Sequence, residues 1–207
     1  MKILLIEPHL GVKRNLLYRL VFYRSLALEQ IAAITPHTHS VEIVEEKFRN
    51  IHFEEDYDLV GISCLTCNVL RGYEIADEFR RRGVTVVLGG YHPTALPQEA
   101  KIHADSVVIG EAELTWPKLL IDFENKKLKP FYIPDKFVDP KLIPPAKRIQ
   151  RGNPYNVSIQ ATRGCPNQCK FCAMQKIEGT RYRPRPISNV IEEIKYIKCK
   201  KLFFVDS

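Results

Sequence analysis

Residues 59–63 read Leu-Val-Gly-Ile-Ser, and residues 84–90 read Val-Thr-Val-Val-Leu-Gly-Gly. Both are short apolar runs that end in small residues, which is typical of strands buried on both faces of a parallel sheet. Between them, Val69, Tyr73 and Phe79 recur with the spacing of one helical face. Strand, helix and strand in this order predict a βαβ unit.

The same alternation continues on both sides of this unit. It predicts further strands at Lys2–Ile6, Val41–Val44 and Ser106–Ile109, and helices at Leu20–Ile34 and Leu114–Phe123. The predicted fold class is therefore α/β, with a Rossmann-like, doubly wound parallel sheet over residues 1–124. Ligands of such sheets bind beyond the carboxyl ends of the strands. Those ends carry Ser63-Cys64-Leu65, Gly89-Gly90 and Gly110-Glu111, so we expect one binding site there.

The rest of the chain has a different character. Residues 125–154 contain six prolines and no clear periodicity, which predicts an extended linker. Residues 155–207 hold an alternating strand from Tyr155, a loop with three cysteines, a helical stripe at Ile187–Ile197 and a strand at Lys201–Asp206. Strand, loop, helix and strand form a single βαβ unit, which cannot close a barrel by itself.

Three cysteines form the pattern Cys165-x-x-x-Cys169-x-x-Cys172, which we call the cysteine loop. Thiolates are the ligands of iron–sulfur clusters, and three of them leave one iron of a cubane free for an external ligand. Cys199, near the end of the predicted helix, is poorly placed to be a fourth ligand. A structural zinc site is the alternative, but zinc favours four ligands in paired Cys-x-x-Cys knuckles.

The stretch from Ala161 to Cys172 reads Ala-Thr-Arg-Gly-Cys-Pro-Asn-Gln-Cys-Lys-Phe-Cys. It resembles the radical S-adenosylmethionine (SAM) superfamily, in which a first barrel strand leads into a Cys-x-x-x-Cys-x-aromatic-Cys loop. The resemblance implies that Cys165, Cys169 and Cys172 bind a [4Fe-4S] cluster and that Phe171 lies near the SAM adenine. Arg181, Arg183, Arg185 and Asp206 either contact SAM or substrate or are structural; the sequence leaves both readings open.

The first half resembles a cobalamin-binding domain. Ser63-Cys64-Leu65 followed by Gly89-Gly90 matches its Ser-x-Leu and Gly-Gly elements. The Asp-x-His-x-x-Gly element that gives a histidine to cobalt is missing, as in many cobalamin-dependent radical SAM enzymes, and the likeness to that family covers essentially the whole chain. It implies cobalamin contacts from Ser63, Leu65, Thr66, Gly89, Gly90, His92, Gly110 and Glu111. A sheet that only docks the barrel, and a His92 that only packs its loop, are the alternatives.

The function implied is reductive cleavage of SAM at the [4Fe-4S] cluster. This cleavage would drive either the cobalamin-dependent methylation or the radical cyclisation or rearrangement of a small molecule. The substrate would be a lipid, a tetrapyrrole or a natural product. One alternative is a radical SAM methylthiotransferase of tRNA or protein, which carries an additional cluster. For that cluster the first half offers only Cys64 and Cys67. The other alternative is a non-catalytic iron–sulfur or cobalamin-binding fragment. The radical SAM resemblance implies that residues 155–207 are the incomplete start of a (β/α) barrel, so we expect the chain alone to be inactive. It is either a fragment, a split-gene product that needs a complementing chain for the rest of the barrel, or an experimental truncation.

Charge is divided unevenly along the chain. The net charge of +7 is the sum of −5 over residues 1–124 and +12 over residues 125–207. The basic half could attract nucleic acid, an anionic cofactor or the acidic first half. Its basic residues lack interleaved aromatics, so we predict no nucleic-acid partner. No apolar run reaches the roughly 20 residues that span a bilayer. We expect a cytoplasmic protein whose electron donor is of the flavodoxin or ferredoxin type.

Overall fold

The computed structural model describes residues 1–9, 24–148 and 156–206 of the chain. Its largest feature is a six-stranded sheet with the order β2-β1-β3-β4-β5-β6, in which all neighbours pair in parallel. This confirms the predicted fold class. The strands are β1 (Lys2–Glu7), β2 (Ser40–Glu45), β3 (Leu59–Ser63), β4 (Thr85–Gly89), β5 (Ser106–Val108) and β6 (Phe131–Tyr132).

The helices cover both faces of this sheet. Successive strand residues therefore enter two separate cores: Val86 and Leu88 pack in one, and Val87, between them, packs in the other. This explains why the strands are apolar at nearly every position rather than at alternate ones. The helices are α1 (Leu26–Ile34), α2 (Val69–Arg81), α3 (Tyr91–Ala95), α4 (Pro97–Ile102) and α5 (Trp116–Glu124).

The sixth strand lies in the segment that we predicted as a linker, so the sheet extends past residue 124. The β6 strand has two residues and pairs with β5, Val107 being opposite Phe131. Pro130 and Pro134 flank β6, and prolines are tolerated at a sheet edge because an edge strand leaves one row of backbone groups unpaired. A two-residue strand between prolines has no periodicity, and the sequence pattern therefore missed it.

The second part of the chain forms the predicted strand, loop, helix and strand. β7 (Asn156–Ile159) and β10 (Lys201–Phe204) pair in parallel, with α7 (Ile187–Tyr196) between them in sequence. Two features were not predicted. A short antiparallel pair, β8 (Thr162–Arg163) with β9 (Arg183–Pro184), closes the base of the cysteine loop, and a single-turn helix, α6 (Met174–Ile177), follows Cys172. We call the β8–β9 pair the neck of the loop.

Two predicted elements fall partly outside the described residues. The helix predicted from Leu20 begins at Leu26, and residues 20–23 are not described; Tyr155, at the start of the predicted barrel strand, is not described either. Among the helices that the structure describes, none has the length and apolarity needed to cross a membrane.

A buried ion-pair network joins α1 to the second part of the chain. Arg148 donates to the carboxylate of Glu29 and, through Nη2, to Glu193 Oε1 at 3.0 Å. The other Glu193 oxygen accepts from Arg185 Nη2 at 2.7 Å. Glu29 and Glu193 are only 2% and 3% exposed. Because an unpaired buried charge is strongly destabilising, this network constrains how the two parts pack.

Glu29 should make stability depend on pH. Burial raises the pKa of its carboxyl to about 7, although Arg148 acts in the opposite direction. The folded state therefore retains a proton that the unfolded chain releases near pH 4.5, and the resulting stabilisation is lost as pH rises through about 7. We expect the free energy of unfolding to fall by on the order of 3 kcal/mol between about pH 5 and 8, and Glu29→Gln to flatten this slope. Urea denaturation at a series of pH values measures it.

Glu55→Gln is the matched control. Glu55 is a surface residue whose pKa is lowered by a hydrogen bond from Lys2, so its titration lies below this pH window. The control should keep the wild-type slope. A Glu29→Gln variant with an unchanged slope would show that another group causes the dependence.

Candidate functional site

A cavity of about 420 Å³ lies at the carboxyl edge of the sheet, by which we mean the edge at which the parallel strands end. The strand order explains the position of the cavity. The strand that follows β1 in sequence, β2, lies on one side of β1, whereas β3 lies on its other side and is followed outward by β4, so the direction of the connections reverses between β1 and β3. Such a switch point opens a crevice between neighbouring loops. Glu7 lines the cavity from β1, Ser63 from β3 and Gly89 from β4.

The cavity brings together most of the residues predicted to contact cobalamin. Thr66 and His92, both in the described part of the chain, are not among its lining residues. The opposite wall comes from the second part of the chain and includes Gln160 and Arg163. The predicted residues that line the cavity are Ser63, Leu65, Gly89, Gly90, Gly110 and Glu111.

His92 is held by its own surroundings. It is buried, its Nδ1 lies 3.3 Å from Thr66 Oγ1, and its Nε2 lies 3.1 Å from Glu99 Oε1. Its ring also meets Tyr73 edge-on, with centroids 6.4 Å apart. Because both imidazole nitrogens are already engaged, the structure favours the packing role for His92 that the sequence left open.

Gly90 occupies a position that only glycine fits. Its φ is +96°, and a Cβ built on it would lie 2.7 Å from the carbonyl oxygen of Cys64. That oxygen is in use, since it accepts a hydrogen bond from His92 N at 3.2 Å. The backbone of β4 can therefore pass directly into α3, and backbone rather than side chain forms this part of the cavity wall.

Tyr91 is a cavity residue that the sequence analysis missed. Its hydroxyl donates to Glu178 Oε1 at 3.0 Å, which connects the loop after β4 to the segment after α6. Burial and the Glu178 carboxylate raise the pKa of Tyr91, so the phenol stays protonated and keeps donating. The available signal was its position directly after Gly90, but nothing in the sequence named its partner.

The cysteine loop projects from the neck. Cys165 and Cys172 are half-buried and Cys169 is exposed, and all three are free thiols. Gly164, with φ +80°, packs so closely on the backbone of Arg181 that no side chain would fit there. Cys165 N donates to Gly179 O at 3.2 Å, and Cys172 N donates to Cys169 O at 3.0 Å.

The three thiols do not converge on one point. Within the described ranges, no group of three His, Cys, Asp or Glu side chains has the geometry to hold a single metal ion. A cubane places a different requirement on the loop, because each thiolate binds a different iron. Three free thiols on one exposed loop fit that chemistry. Phe171, predicted to lie near SAM, is 93% exposed.

The first pair of cysteines has no comparable arrangement. Cys64 is fully buried, and burial raises the pKa of its thiol to about 12, which makes it a poor source of thiolate. Cys67 is exposed. The structure therefore offers little support for a second cluster or a redox pair here.

The other polar residues considered from sequence have structural partners. Asp206 Oδ1 accepts from Ala161 N at 2.7 Å and from Thr162 N at 2.9 Å, so it holds the strand that enters the cysteine loop. Arg183 and Arg185 make buried ion pairs with Glu111 and Glu193, whereas Arg181 is exposed.

The carboxyl edge leaves its backbone accessible to a ligand. Gly89, Gly90 and Gly110 leave backbone rather than side chains along the cavity, so a ligand can approach the strand ends closely. A Cβ on Gly89 would only reach ordinary contact with Val108, at 3.7 Å, so this access depends mostly on Gly90 and Gly110, which both have positive φ.

Comparison with known proteins agrees with these features. Residues 25–120 match the family model of the B12-binding domain. The chain is 41% identical over 192 residues to bacteriochlorophyllide d C-8(2)-methyltransferase of Chlorobaculum tepidum, covering 86% of this chain and 42% of that protein. It is 34% identical over 146 residues to the C-12(1)-methyltransferase of the same organism, covering 67% of this chain and 32% of the relative.

A solved structure shares the fold over the whole chain. The radical SAM methyltransferase TsrM from Kitasatospora setae, solved with cobalamin and a [4Fe-4S] cluster bound, superposes with a TM-score of 0.75 at 18% identity. The match covers 100% of this chain and 47% of TsrM. The chain thus spans less than half the length of these relatives.

We predict that Gly90→Ala destabilises the sheet far more than Gly83→Ala does. Both glycines have positive φ, so each alanine is strained, but a Cβ on Gly83 meets nothing within 4 Å whereas one on Gly90 collides with backbone. We expect a loss of about 1 kcal/mol for Gly83→Ala, and a loss of at least about 2–3 kcal/mol for Gly90→Ala. Urea denaturation measures both, and equal losses would show that the backbone at Gly90 moves aside.

Proposed function

We propose that the chain belongs to the family of radical SAM proteins that carry a B12-binding domain, and that it takes part in the cobalamin-dependent methylation of a small molecule at the expense of SAM. In this proposal Cys165, Cys169 and Cys172 hold a [4Fe-4S] cluster and the carboxyl edge of the sheet holds cobalamin. When bound, the cluster and SAM supply a radical by reductive cleavage, and the corrinoid supplies methyl-group transfer.

One observation carries this proposal. The carboxyl edge of the sheet and the strand that leads into the cysteine loop line the same cavity, with Ser63 and Gly110 on one side and Gln160 and Arg163 on the other. A methyl donor and a radical source must act on one substrate, and a cavity shared by the strand ends and the strand before the cysteine loop supports neighbouring sites for them. A sheet that only docked a barrel would not need an open cavity between the two.

The chain's own residues supply position and shielding. The backbone at Gly90 allows a ligand to approach the edge closely. Tyr91 lines the cavity, and its protonated phenol donates a hydrogen bond to Glu178. Leu5, Leu28 and Trp116 give part of the cavity an apolar lining, which would help to shield radical chemistry from water once ligands fill the cavity. His92 is held by Thr66 and Glu99, so we do not propose it as a cobalt ligand.

We propose a tetrapyrrole as the substrate class. Two relatives at 41% and 34% identity are named as methyltransferases of bacteriochlorophyllide d. This favours methylation over cyclisation or rearrangement. The electron donor is proposed to be a flavodoxin or ferredoxin, because SAM cleavage consumes an electron. The division into residues 1–124, 125–154 and 155–207 stays a proposal, with β6 of the sheet contributed by the middle segment, and so does a complementing barrel chain.

Anaerobic reconstitution with iron and sulfide tests the cluster assignment. We expect about four irons per chain and a broad absorbance that bleaches on reduction, and we expect Cys165→Ala, Cys169→Ala and Cys172→Ala each to lose most of it, because each thiolate holds one corner of the cubane. Cys199→Ala is the control and should keep the cluster. A full cluster in each of the three loop variants would contradict the assignment. Binding of stoichiometric zinc without iron would indicate a structural zinc site instead of a cluster. About eight irons per chain would favour a methylthiotransferase.

Labelled SAM tests the reaction type. With reconstituted protein supplied together with the proposed complementing barrel chain, a reductant, added cobalamin and bacteriochlorophyllide d, we expect the methyl label to appear in the tetrapyrrole together with S-adenosylhomocysteine and 5′-deoxyadenosine, because SAM serves as both methyl source and radical source. Omitting cobalamin should abolish label transfer. Formation of 5′-deoxyadenosine with no methyl transfer would favour cyclisation or rearrangement instead.

A further inference from the structure

We propose that Glu111 is a positioning residue that holds the neck of the cysteine loop against the carboxyl edge of the sheet, and that it is not a ligand of cobalamin. This inference rests on the proposed function and deepens it, because it assigns to Glu111 the coupling between the corrinoid site and the cluster site. It also replaces the cobalamin contact that the sequence implied for this residue.

The carboxylate of Glu111 has no acceptor capacity left for a ligand. Oε1 accepts from Arg183 Nη2 at 2.7 Å and from Arg163 Nη1 at 3.3 Å. Oε2 accepts from Val138 N at 2.8 Å and from Arg183 Nη1 at 3.2 Å. A carboxylate offers about four lone-pair sites, and these contacts use them all. Glu111 is also only 8% exposed, so a corrinoid amide would have to displace one of these bonds.

The partners of Glu111 are the two strands of the neck. Arg163 lies in β8 and Arg183 lies opposite it in β9. Arg163 precedes Gly164 and Cys165 directly, so its position sets where the first cysteine of the loop begins. Arg183 Nη2 donates to Glu178 O at 2.6 Å, immediately before Gly179, whose carbonyl accepts from Cys165 N at 3.2 Å.

Charge explains why the neck needs this carboxylate. Two guanidinium groups face each other across β8 and β9, and their repulsion in a buried place must be offset by an anion. Glu113 pairs with Arg163 at 2.6 Å. Among the described residues, Glu111 is the carboxylate that forms an ion pair with Arg183, and it reaches Arg163 as well. It therefore holds the two strands together as a pair.

Glu111 is at the same time part of the carboxyl edge. It follows Gly110, whose backbone N donates to the cavity residue Thr94 at 2.9 Å and whose φ is +73°. A ligand that contacts the end of β5 therefore contacts the backbone next to Glu111, whose side chain binds the neck of the cysteine loop. The distance between the corrinoid and the cluster is set here by ion pairs rather than by continuous secondary structure.

The decisive variant is Glu111→Gln in the reconstituted full chain. A glutamine amide keeps the shape but loses the charge and one acceptor oxygen, so Arg163 and Arg183 lose their shared anion. We expect cobalamin affinity, measured by absorbance titration, to stay within about threefold of wild type. We expect the electron paramagnetic resonance signal of the reduced cluster to change, and SAM affinity, read from its effect on that signal, to fall about tenfold or more.

The control is Glu46→Gln. Glu46, whose side chain is mostly buried, also pairs with an arginine, the more exposed Arg71 at 2.6 Å, and this pair lies outside the lining of the cavity. It should lose similar stability in thermal unfolding and keep the wild-type cluster signal, cobalamin affinity and SAM affinity. A shifted signal in this variant would mean that the cluster responds to any loss of stability, and this would overturn the inference.

A second variant, Arg183→Lys, tests the inference if the Glu111→Gln protein binds neither the cluster nor cobalamin. Lysine keeps the charge but cannot reproduce the two-pronged contact with Glu111, and Arg183 does not line the cavity. A changed cluster signal with wild-type cobalamin affinity supports the inference, and a wild-type cluster signal overturns it.

The remaining outcomes separate this inference from the proposed function. If Glu111→Gln loses cobalamin affinity but keeps its cluster and SAM binding, Glu111 is a corrinoid ligand and the inference is wrong. If both properties stay at wild-type values, it is also wrong, while the proposed function stands. If the wild-type chain itself binds neither cluster nor cobalamin, the proposed function fails and the inference fails with it.

Discussion

Parallel pairing is the constraint on which the rest of this structure depends. When all neighbouring strands of a sheet run in the same direction, every strand end falls on one edge, and each connection must return over a face of the sheet. The chain meets this requirement with apolar strands that enter two cores and with helices on both faces. Past the ends of β4 and β5, Gly90, Gly110 and Glu111 line the cavity and belong to neither core.

A second constraint, charge complementarity, holds the two parts of the chain together. The acidic first part supplies Glu29, Glu111 and Glu113, and the basic second part supplies their partners, Arg148, Arg163 and Arg183. The uneven division of charge along the sequence thus has a structural explanation, which was one of the three that we considered. Buried pairs of this kind add little net stability compared with apolar packing, but they tolerate only one arrangement of partners. They therefore specify the relative position of the two parts.

The sequence was informative where local pattern decides structure and uninformative where distant contacts decide it. Strands β1, β3, β4 and β5 could be predicted because each contains a continuous apolar run, and β2 because only Glu42 interrupts its apolar residues. The cysteine loop could be predicted because its spacing is a chemical requirement. The neck could not, because Thr162–Arg163 and Arg183–Pro184 are polar and form strands only through pairing with each other and with Glu111. The placement of His92 was uncertain for the same reason, since its role depends on Glu99 and Thr66 and not on its neighbours in sequence. Tyr91 was overlooked although it adjoins the Gly-Gly pair.

The two proposed cofactor sites are consequently built in different ways. On the proposed corrinoid side, the backbone at Gly90 and Gly110 forms part of the cavity wall. Because this backbone has positive φ and close contacts, it has few alternative conformations. On the cluster side, the loop carries few internal backbone hydrogen bonds and an exposed Phe171, so its position comes from side chains at its base. A rigid wall facing an anchored but otherwise adaptable loop allows the loop to close around a cluster while its base stays in place. The geometry between the two reaction centres then depends on the anchor, and the anchor is a set of buried charges that water and salt reach poorly.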